Sequence, residues 1–263
     1  MFYRLSEIEH NYGPQVHILN NPSLSTWLAQ LSSPKTFQPQ INNFIEYIYR
    51  GLVQTVINNE FPKEDVSWQT RMSEMHPGHD LSTQVIKQNQ KAVTVNLARA
   101  GTYPSQICYN LLNYILEPAA VRQDHILASR TTNKEEKVTG TELGAAKIGG
   151  DVDDRIVIFP DPMGATGGTI VHSIDYYKNQ IEGTAKKFVA LHLIVTPEYL
   201  KKVTAAHKDV AIYAVRLDRG LSSPDILKTI PGTHWDQEKG LNDKQYIVPG
   251  AGGLGELLNN TEV

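Results

Sequence analysis

The residues best suited to chemistry lie in one short stretch, Asp161-Pro162-Met163-Gly164-Ala165-Thr166-Gly167-Gly168-Thr169. An apolar run precedes this stretch at residues 156–159, and an amphipathic run follows it at residues 170–181. That order predicts a strand, a loop of small residues and a helix. An acid at the end of the strand can bind sugar hydroxyls, and the free N–H groups that begin the helix can bind a phosphate. The stretch therefore predicts a site for a phosphorylated sugar.

Alternating strands and helices from residue 91 onward must position that loop. The predicted strands cover residues 92–97, 125–129, 155–159, 187–195 and 210–215, and the helices between them cover residues 104–117, 170–181 and a run that opens with Pro197-Glu198. Continuous apolar strands separated by helices are typical of a parallel sheet covered on both faces. Ligands bind beyond the carboxyl ends of such strands. Because Arg99, Arg130 and Asp161 each follow a predicted strand, we expect their side chains to meet at one edge of the sheet.

The residues before this sheet have a helical pattern. Apolar side chains recur at helical spacing over residues 41–57, and a shorter helix is predicted at residues 23–31 with Ser23 or Ser25 near its N-cap. Residues 60–90 have weak periodicity and are expected to form a loop or a hairpin. No linker composition separates these parts, so we predict a single domain.

Composition excludes several classes of protein. The chain has 263 residues and a net charge of −3, which gives no support for nucleic-acid binding. Its one cysteine, Cys108, cannot form an intramolecular disulfide, and its helical surroundings predict a buried packing residue. The first ten residues do not resemble a secretory signal, and no apolar run approaches the ~18 residues that span a bilayer. We therefore expect a cytoplasmic protein that does not bind membranes.

Several other motifs in the sequence lack the features that dinucleotide, nucleotide, hydrolase or metal sites require. Gly250-Ala251-Gly252-Gly253-Leu254-Gly255 matches the dinucleotide fingerprint, but too few residues follow it for the rest of a βαβ unit. The glycine-rich stretch at residues 161–169 lacks the Gly-Lys-Ser/Thr ending of a P-loop, and the chain has no G-x-S-x-G hydrolase elbow. His76-Pro77-Gly78-His79-Asp80 is interpreted as a solvated turn and not as a metal site.

Three of the remaining motifs together resemble the uracil phosphoribosyltransferase family. Residues 161–169 closely resemble its phosphoribosyl diphosphate (PRPP) loop, and Arg99-Ala100-Gly101 resembles its Arg-Ala-Gly turn. Gly240-Leu241-Asn242 and Tyr246-Ile247-Val248-Pro249-Gly250 are similar to its uracil-binding segment. The order and approximate spacing agree from about residue 16 to residue 256.

That resemblance implies a fold and an assembly. The fold is the α/β type I phosphoribosyltransferase fold, a parallel sheet flanked by helices with a small base-binding hood. We expect one domain over residues 1–263, with a helical N-terminal part at about 16–60 and the hood at about 217–263. The family resemblance also implies a homodimer or a higher homo-oligomer.

The resemblance further implies an activity in pyrimidine salvage. Ribose 5-phosphate would pass from PRPP to uracil, giving UMP and diphosphate with Mg²⁺ as cofactor and no protein ligand predicted for the metal. Arg99, Arg130 and Asp161 would be the catalytic residues, since the arginines would bind diphosphate and the aspartate the ribose hydroxyls. The rest of the PRPP site would comprise Ala100, Gly101, Pro162, Met163, Gly164, Ala165, Thr166, Gly167, Gly168, Thr169 and Gly253.

Uracil would be bound by backbone groups at Ile247, Gly252, Gly253 and Leu254. Residues 131–141, with the charged run Lys134, Glu135, Glu136 and Lys137, resemble the flap that covers such sites and excludes water.

Three departures from the family pattern affect mainly the base-binding end. The family's Gly-Asp-x-Gly-Asp-Arg reads here Gly252-Gly253-Leu254-Gly255-Glu256-Leu257, so an aspartate is replaced by Gly253 and an arginine by Leu257. Gly164 replaces a usual leucine, and residues 222–239 resemble an insertion that could remodel the base pocket, cover it or extend a dimer contact.

These departures leave two alternatives to uracil phosphoribosyl transfer. One is phosphoribosyl transfer to another base, and the other is a catalytically reduced protein that senses nucleotides. An RNA-binding regulator on this scaffold would need a basic face, which the acidic balance disfavours.

Overall fold

The described residues contain ten strands, most of them in one sheet. The computed structural model describes residues 3–132 and 138–261, with side chains described outside residues 128–143. The strands are β1 (Val16–Ile18), β2 (Lys63–Trp68), β3 (Leu81–Ile86), β4 (Ala92–Ala98), β5 (Val121–Thr132), β6 (Val138–Lys147), β7 (Ile156–Pro160), β8 (Met163–Gly164), β9 (Lys187–Val195) and β10 (Val210–Leu217). The main sheet has the order β1-β10-β9-β7-β4-β5-β6, and β8 pairs with β9.

Every pair in the main sheet is parallel except β5 with β6. Within the described residues the α-helices are α1 (Pro22–Leu31), α2 (Gln40–Glu60), α3 (Thr102–Ile115), α4 (Gly168–Gln180), α5 (Pro197–Ala206), α6 (Pro224–Leu227) and α7 (Leu254–Leu257). The predicted α/β architecture with a parallel sheet is therefore confirmed.

Two hydrophobic cores cover the two faces of the sheet. Alternate residues of one strand point to opposite faces, so Ile156 and Ile158 of β7 join the core under α1, α2 and α3, whereas Val157 and Phe159 join the core under α4 and α5. This division fixes both faces of β7 and holds its carboxyl end, where Asp161 follows, at the edge of the sheet.

The termini of several elements differ from the predictions. The N-cap of α1 is Asn21, whose Oδ1 accepts a hydrogen bond from the Leu24 N–H at 3.2 Å, and not Ser23 or Ser25. Pro22 then occupies the first helical position, where a missing N–H costs nothing. α3 begins at Thr102 and ends at Ile115, earlier at both ends than predicted.

Three strands were not predicted, and one predicted strand is longer. β1 and β8 have three and two residues, too few for a periodic pattern. β5 extends from residue 121 to residue 132 because its far end pairs with the third unpredicted strand, antiparallel β6. Residues 60–90 do contain a hairpin, formed by β2 and β3. Later in the chain, an isolated bridge joins Ile247 to Leu241.

Cys108 lies fully buried in α3, as predicted, and this burial raises the pKa of its thiol. No helix among the described residues combines the length and the apolar character needed to cross a bilayer.

Candidate active site

A cleft of about 370 Å³ lies beyond the carboxyl ends of β4 and β7. Three parts of the chain form most of its lining, and Ile170 of α4 and Tyr199 of α5 complete it. The first is the end of β4 and the turn after it, with Leu97, Ala98, Arg99 and Ala100. The second, called here the phosphate loop, is residues 161–169, which contribute Asp161, Met163, Ala165, Thr166, Gly167 and Thr169. The third, called the base segment, is residues 240–257, which contribute Gln245, Tyr246, Ile247, Gly252, Gly253, Leu254, Gly255 and Glu256.

The first half of the phosphate loop is attached to β9 as an added strand. The Asp161 N–H donates to the Leu191 carbonyl at 3.0 Å, and the Leu193 N–H donates back to the Pro162 carbonyl at 3.0 Å. Gly164 continues the pairing, since its carbonyl accepts from the Thr196 N–H at 3.1 Å. These bonds satisfy the loop's backbone and fix where the Asp161 side chain starts.

The second half of the phosphate loop turns into α4. Gly167 has φ +80°, a left-handed conformation that favours glycine, and an added Cβ there would lie 2.9 Å from Val203 Cγ2. No side chain caps the first turn of α4. The N–H groups of that turn and the helix dipole therefore favour an anion at this point.

Four residues assigned to the PRPP site do not line the cleft: Gly101, Pro162, Gly164 and Gly168. All four are buried behind it. An added Cβ on Gly101 would lie 2.8 Å from the Leu97 carbonyl and 2.9 Å from the Pro160 carbonyl, so only glycine lets the turn after β4 pass this close to β7. Their position is that of supports for the lining backbone.

Arg99 reaches the base segment from the turn after β4, directly after a cis Ala98–Arg99 peptide. Its Nη2 donates to Glu256 Oε1 at 2.9 Å, and its Nη1 donates to Thr261 Oγ1 at 3.1 Å. The Arg99 side chain is 50% exposed and that of Glu256 29% exposed. A carboxylate thus lies against the guanidinium that was predicted to bind diphosphate.

Arg130 lies within β5 and not just after it, because the strand extends to Thr132 and pairs Arg130 with Thr141 of β6. The pairing of β5 with β4 ends at Leu127, so the backbone of Arg130 lies beyond the parallel part of the sheet. Its side chain and the charged run at residues 134–137 lie outside the described residues.

Side chains from neighbouring elements hold the base segment by its backbone. Arg216 and Asp218 form a two-point ion pair at the end of β10, with N–O distances of 2.6 and 2.8 Å. Together they hold Gly250, whose N–H donates to Asp218 and whose carbonyl accepts from Arg216 at 2.7 and 2.8 Å. Glu198 of α5 accepts from the N–H groups of Gly240 and Leu241.

Residues 222–239, which resemble an insertion in the sequence and are called the insertion below, lie outside the cleft. Trp235 donates its Nε1–H to the Pro197 carbonyl at 2.9 Å, which attaches the insertion to the start of α5. Arg219, just before the insertion, donates to Glu238 at 2.8 Å, and Glu238 also accepts from the Tyr12 hydroxyl. None of these residues lines the cleft, so the insertion does not form the wall of the base pocket.

Sequence reasoning missed several lining residues, among them Tyr199, Gln245, Tyr246 and Glu256. Glu256 has a signal in the sequence, since it falls on an acidic position of the family pattern. Tyr199 sits in the first turn of α5, two residues after the proline that opens that helix. Its hydroxyl contacts a histidine in β9 that the apolar run concealed, His192.

Within the described parts of the chain, no three His, Cys, Asp or Glu side chains are grouped as metal ligands. The carboxylates that line the cleft belong to Asp161 and Glu256.

Comparison with known proteins identifies the family. The family model for uracil phosphoribosyltransferase matches residues 18–234. A uracil phosphoribosyltransferase of Streptococcus mutans serotype c is 32% identical over 247 residues, covering 94% of this chain and 96% of the relative. One of Staphylococcus epidermidis is 28% identical over 249 residues, covering 94% and 99%.

A solved structure, the AQ2163 protein from Aquifex aeolicus, superposes with a TM-score of 0.71 at 19% identity, covering 94% of this chain and 99% of that one. This likeness concerns the fold alone. The expected type I phosphoribosyltransferase-like sheet flanked by helices is confirmed. With a family model that spans most of its length, the chain belongs to the uracil phosphoribosyltransferase family.

Proposed function

We propose that this protein transfers the ribose 5-phosphate of PRPP to a ring nitrogen of uracil, giving UMP and diphosphate in pyrimidine salvage. The observation that carries this proposal is the meeting of the Arg99 turn, the phosphate loop and the base segment in one cleft at the carboxyl edge of the sheet. The relatives from Streptococcus mutans and Staphylococcus epidermidis are both named uracil phosphoribosyltransferase, which supports this proposal.

In this proposal the phosphate loop binds the phosphorylated sugar. The backbone amides of residues 165–169 receive the 5-phosphate, because the start of α4 offers uncapped N–H groups and the positive end of the helix dipole. Asp161 binds the ribose hydroxyls through charge-assisted hydrogen bonds. Arg99, with Arg130 from β5, binds the diphosphate.

Uracil lies at the other end of the cleft, against the backbone of Ile247, Gly252, Gly253 and Leu254. Gly252 has φ +74° and no side chain, so its backbone is open to a flat ring. The clamp of Arg216 and Asp218 on Gly250 keeps this backbone in place.

The reaction breaks the bond between ribose C1′ and a diphosphate oxygen and forms one between C1′ and the uracil nitrogen, which loses its proton. Positive charge develops on the sugar ring and negative charge on the leaving diphosphate. Positioning and electrostatic stabilisation therefore supply most of the rate enhancement. Asp161 beneath the sugar and Arg99 beside the diphosphate have charges of the required signs.

The donor set fits a Mg²⁺ ion held mainly by the substrate. Mg²⁺ keeps several waters and binds through one or two carboxylates plus substrate phosphates. Asp161, which lines the cleft, would contribute one such carboxylate. When bound, the ion neutralises charge on the diphosphate.

We also propose that the protein is a homodimer or a higher homo-oligomer. The β2–β3 hairpin and its connecting residues expose Trp68, Met72, Met75 and Leu81, each by 47% or more of its surface. A two-stranded hairpin with exposed apolar side chains is marginal alone and is typical of an interface. Sedimentation of the protein and of a Trp68→Ser variant tests this assembly.

We also propose that the chain is a single domain, with a helical N-terminal part at about 16–60 and a base-binding hood at about 217–263. A cytoplasmic location stays a prediction from the sequence.

Diphosphate release from PRPP and Mg²⁺ tests the proposal directly, with uracil beside a panel of other pyrimidines and purines. We expect release with uracil alone. Arg99→Ala should weaken PRPP binding about tenfold to a hundredfold, because it removes a cation from the leaving group. Arg50→Ala, which removes an exposed helical ion pair with Glu46, is the matched control. Release with another base only, or unchanged PRPP binding by Arg99→Ala, would contradict the assignment.

A further inference from the structure

A buried histidine lies directly beneath the phosphate loop. His192 is a polar residue within the buried strand β9, and its side chain has no exposed surface. Its Nδ1 is 2.6 Å from the Asp161 carbonyl oxygen, which can only accept, so Nδ1 carries the proton. Its Nε2 is then an acceptor, and the Tyr199 hydroxyl donates to it at 2.5 Å.

Tyr199 extends this contact to the other part of the loop. Its N–H donates to Thr196 Oγ1 at 3.0 Å, and the Thr196 hydroxyl donates to the Ala165 carbonyl at 2.7 Å. One chain of hydrogen bonds thus joins Asp161 to Ala165 through His192, Tyr199 and Thr196. The loop is therefore held from below at Asp161 and at Ala165, two of its residues that line the cleft.

His192 and Val195 also fill the space beside Gly164. An added Cβ at Gly164 would lie 3.3 Å from His192 Cγ and 2.8 Å from Val195 Cγ1. The resembled family usually has a leucine at this position, whereas here the side chains of His192 and Val195 lie where a side chain on residue 164 would start. The change at Gly164 is therefore matched by its surroundings.

We propose that His192 is a positioning residue for Asp161 and acts together with Tyr199, an inference that rests on the proposed PRPP chemistry. Asp161 has its N–H fixed by the Leu191 carbonyl and its own carbonyl fixed by His192. These two bonds set the direction in which the carboxylate leaves the backbone. A displacement of about 1 Å at such a group costs much of its effect on the reacting sugar.

Burial supports this role. It lowers the pKa of His192 to about 4, so the ring is neutral at the pH of ordinary assays and keeps both hydrogen bonds. Burial, and then the charge of Asp161, raise the pKa of Tyr199, so its hydroxyl stays protonated and can donate.

Four variants separate positioning from packing. In His192→Asn the amide nitrogen can take the place of Nδ1 and donate to the Asp161 carbonyl. In His192→Gln the amide oxygen can reach the place of Nε2 and accept from the Tyr199 hydroxyl, so only the bond to Tyr199 is kept. His192→Leu removes both hydrogen bonds and leaves the buried Tyr199 hydroxyl without its acceptor. Combining His192→Leu with Tyr199→Phe removes the stranded group, which restores stability but not the bond to Asp161.

The measurements are KM for PRPP, KM for uracil, kcat and the midpoint of thermal unfolding. We expect KM for PRPP to rise about fivefold to tenfold in His192→Gln, His192→Leu and the double variant, and to stay within about twofold in His192→Asn. KM for uracil should not change. The double variant should unfold at a higher temperature than His192→Leu while its KM for PRPP stays high.

Two results would overturn the inference: equal KM values for PRPP in His192→Asn and His192→Gln, or a KM for PRPP that recovers with stability in the double variant. PRPP binding measured by calorimetry gives the same comparison without uracil. Wild-type protein that binds PRPP but converts no uracil would refute the proposed function and still decide the role of His192. Wild-type protein that binds no PRPP would refute both.

Discussion

The phosphate loop is built into the sheet, whereas the base segment is attached mainly through side chains. Backbone hydrogen bonds make residues 161–164 an added strand on β9, and α4 begins within the loop. The backbone of the base segment has one isolated bridge and accepts a hydrogen bond from the Gly220 N–H at Val248, and Glu198, Arg216 and Asp218 hold it at further points. A loop that shares the backbone bonds of a sheet is fixed by the fold, and a segment held by a few side chains can change with them.

The departures from the family pattern follow this difference. At Gly164 in the phosphate loop, His192 and Val195 occupy the space of the missing side chain. In the base segment, Gly253 replaces an aspartate, and Leu257, in place of an arginine, packs partly buried against the core. At the PRPP end the space beside the glycine is filled by neighbouring side chains, and at the base end an apolar residue packs where the family pattern has a charged one.

The largest effect is expected from Asp161→Asn, which tests whether the phosphate end carries the chemistry. The substitution keeps the size of the side chain and both backbone bonds but removes the charge. We expect kcat/KM to fall several hundredfold, as for other preorganised electrostatic groups. Diphosphate release measures it, with Asp225→Asn, an exposed carboxylate beside Lys228, as control. A fall of less than about threefold would locate the essential charge elsewhere.

Low pH should reduce the free energy of unfolding through protonation of His192 beneath the phosphate loop. Its pKa in the folded protein is about 4, below the ordinary value of 6.5, so the unfolded chain binds this proton first as the pH falls. The corresponding stability is present above pH 6.5 and is lost between pH 6.5 and 4, by up to about 3 kcal/mol.

Urea unfolding at pH 7, 5.5 and 4.5 measures this loss. Other groups also titrate over this range, so the comparison is with the His192→Leu, Tyr199→Phe double variant, whose free energy of unfolding should fall less over it. Parallel pH dependences in the two proteins would mean that the histidine is not neutral when folded.

At the base end, Gly253→Asp should raise uracil turnover by about tenfold, because it returns a carboxylate to the side of the bound PRPP. The backbone at Gly253 has φ −79°, which an aspartate adopts readily. Gly253→Asn has the same shape without the charge and should give no gain. Equal rates for the two variants would show that the lost charge is not what limits this enzyme.

The smallest effect concerns the contact between the two ends. Glu256→Gln removes the carboxylate that pairs with Arg99, and we expect KM for PRPP to fall about twofold. The effect is small because the guanidinium is half exposed and water already screens the pair. The gain should vanish when Arg99→Ala is also present, and a rise in KM would mean that Glu256 orients Arg99 instead of competing for it.

Much of the phosphate end could be predicted from the sequence because local residue types determine it. An apolar strand, an acid, a run of small residues and an amphipathic helix occur in order, and the predicted pieces at residues 156–159 and 170–181 correspond closely to β7 and α4. His192 escaped prediction because a buried polar residue in an apolar run has no periodic signal.

The base end could not be predicted in the same way. Gly250 is held by Arg216 and Asp218, which are distant in sequence, and no local pattern reports such a contact. The pairing of Ile247 with Leu241 is a single isolated bridge, too short to leave a strand pattern in the sequence. The antiparallel strand β6 was not predicted for a related reason. Its pairing with β5 depends on a chain reversal that has no recognisable pattern in the sequence.

The cluster of Arg219, Glu238 and Tyr12 has a consequence for how the chain opens. Arg219 also donates to the carbonyls of Ile226, Leu227 and Thr229, so one partly buried guanidinium joins several carbonyls of residues 222–239. Glu238 then ties them to the amino-terminal segment through Tyr12. In hydrogen exchange the insertion should therefore open together with that segment as one cooperative unit, and shortening it would release the beginning of the chain before it disturbed the cleft.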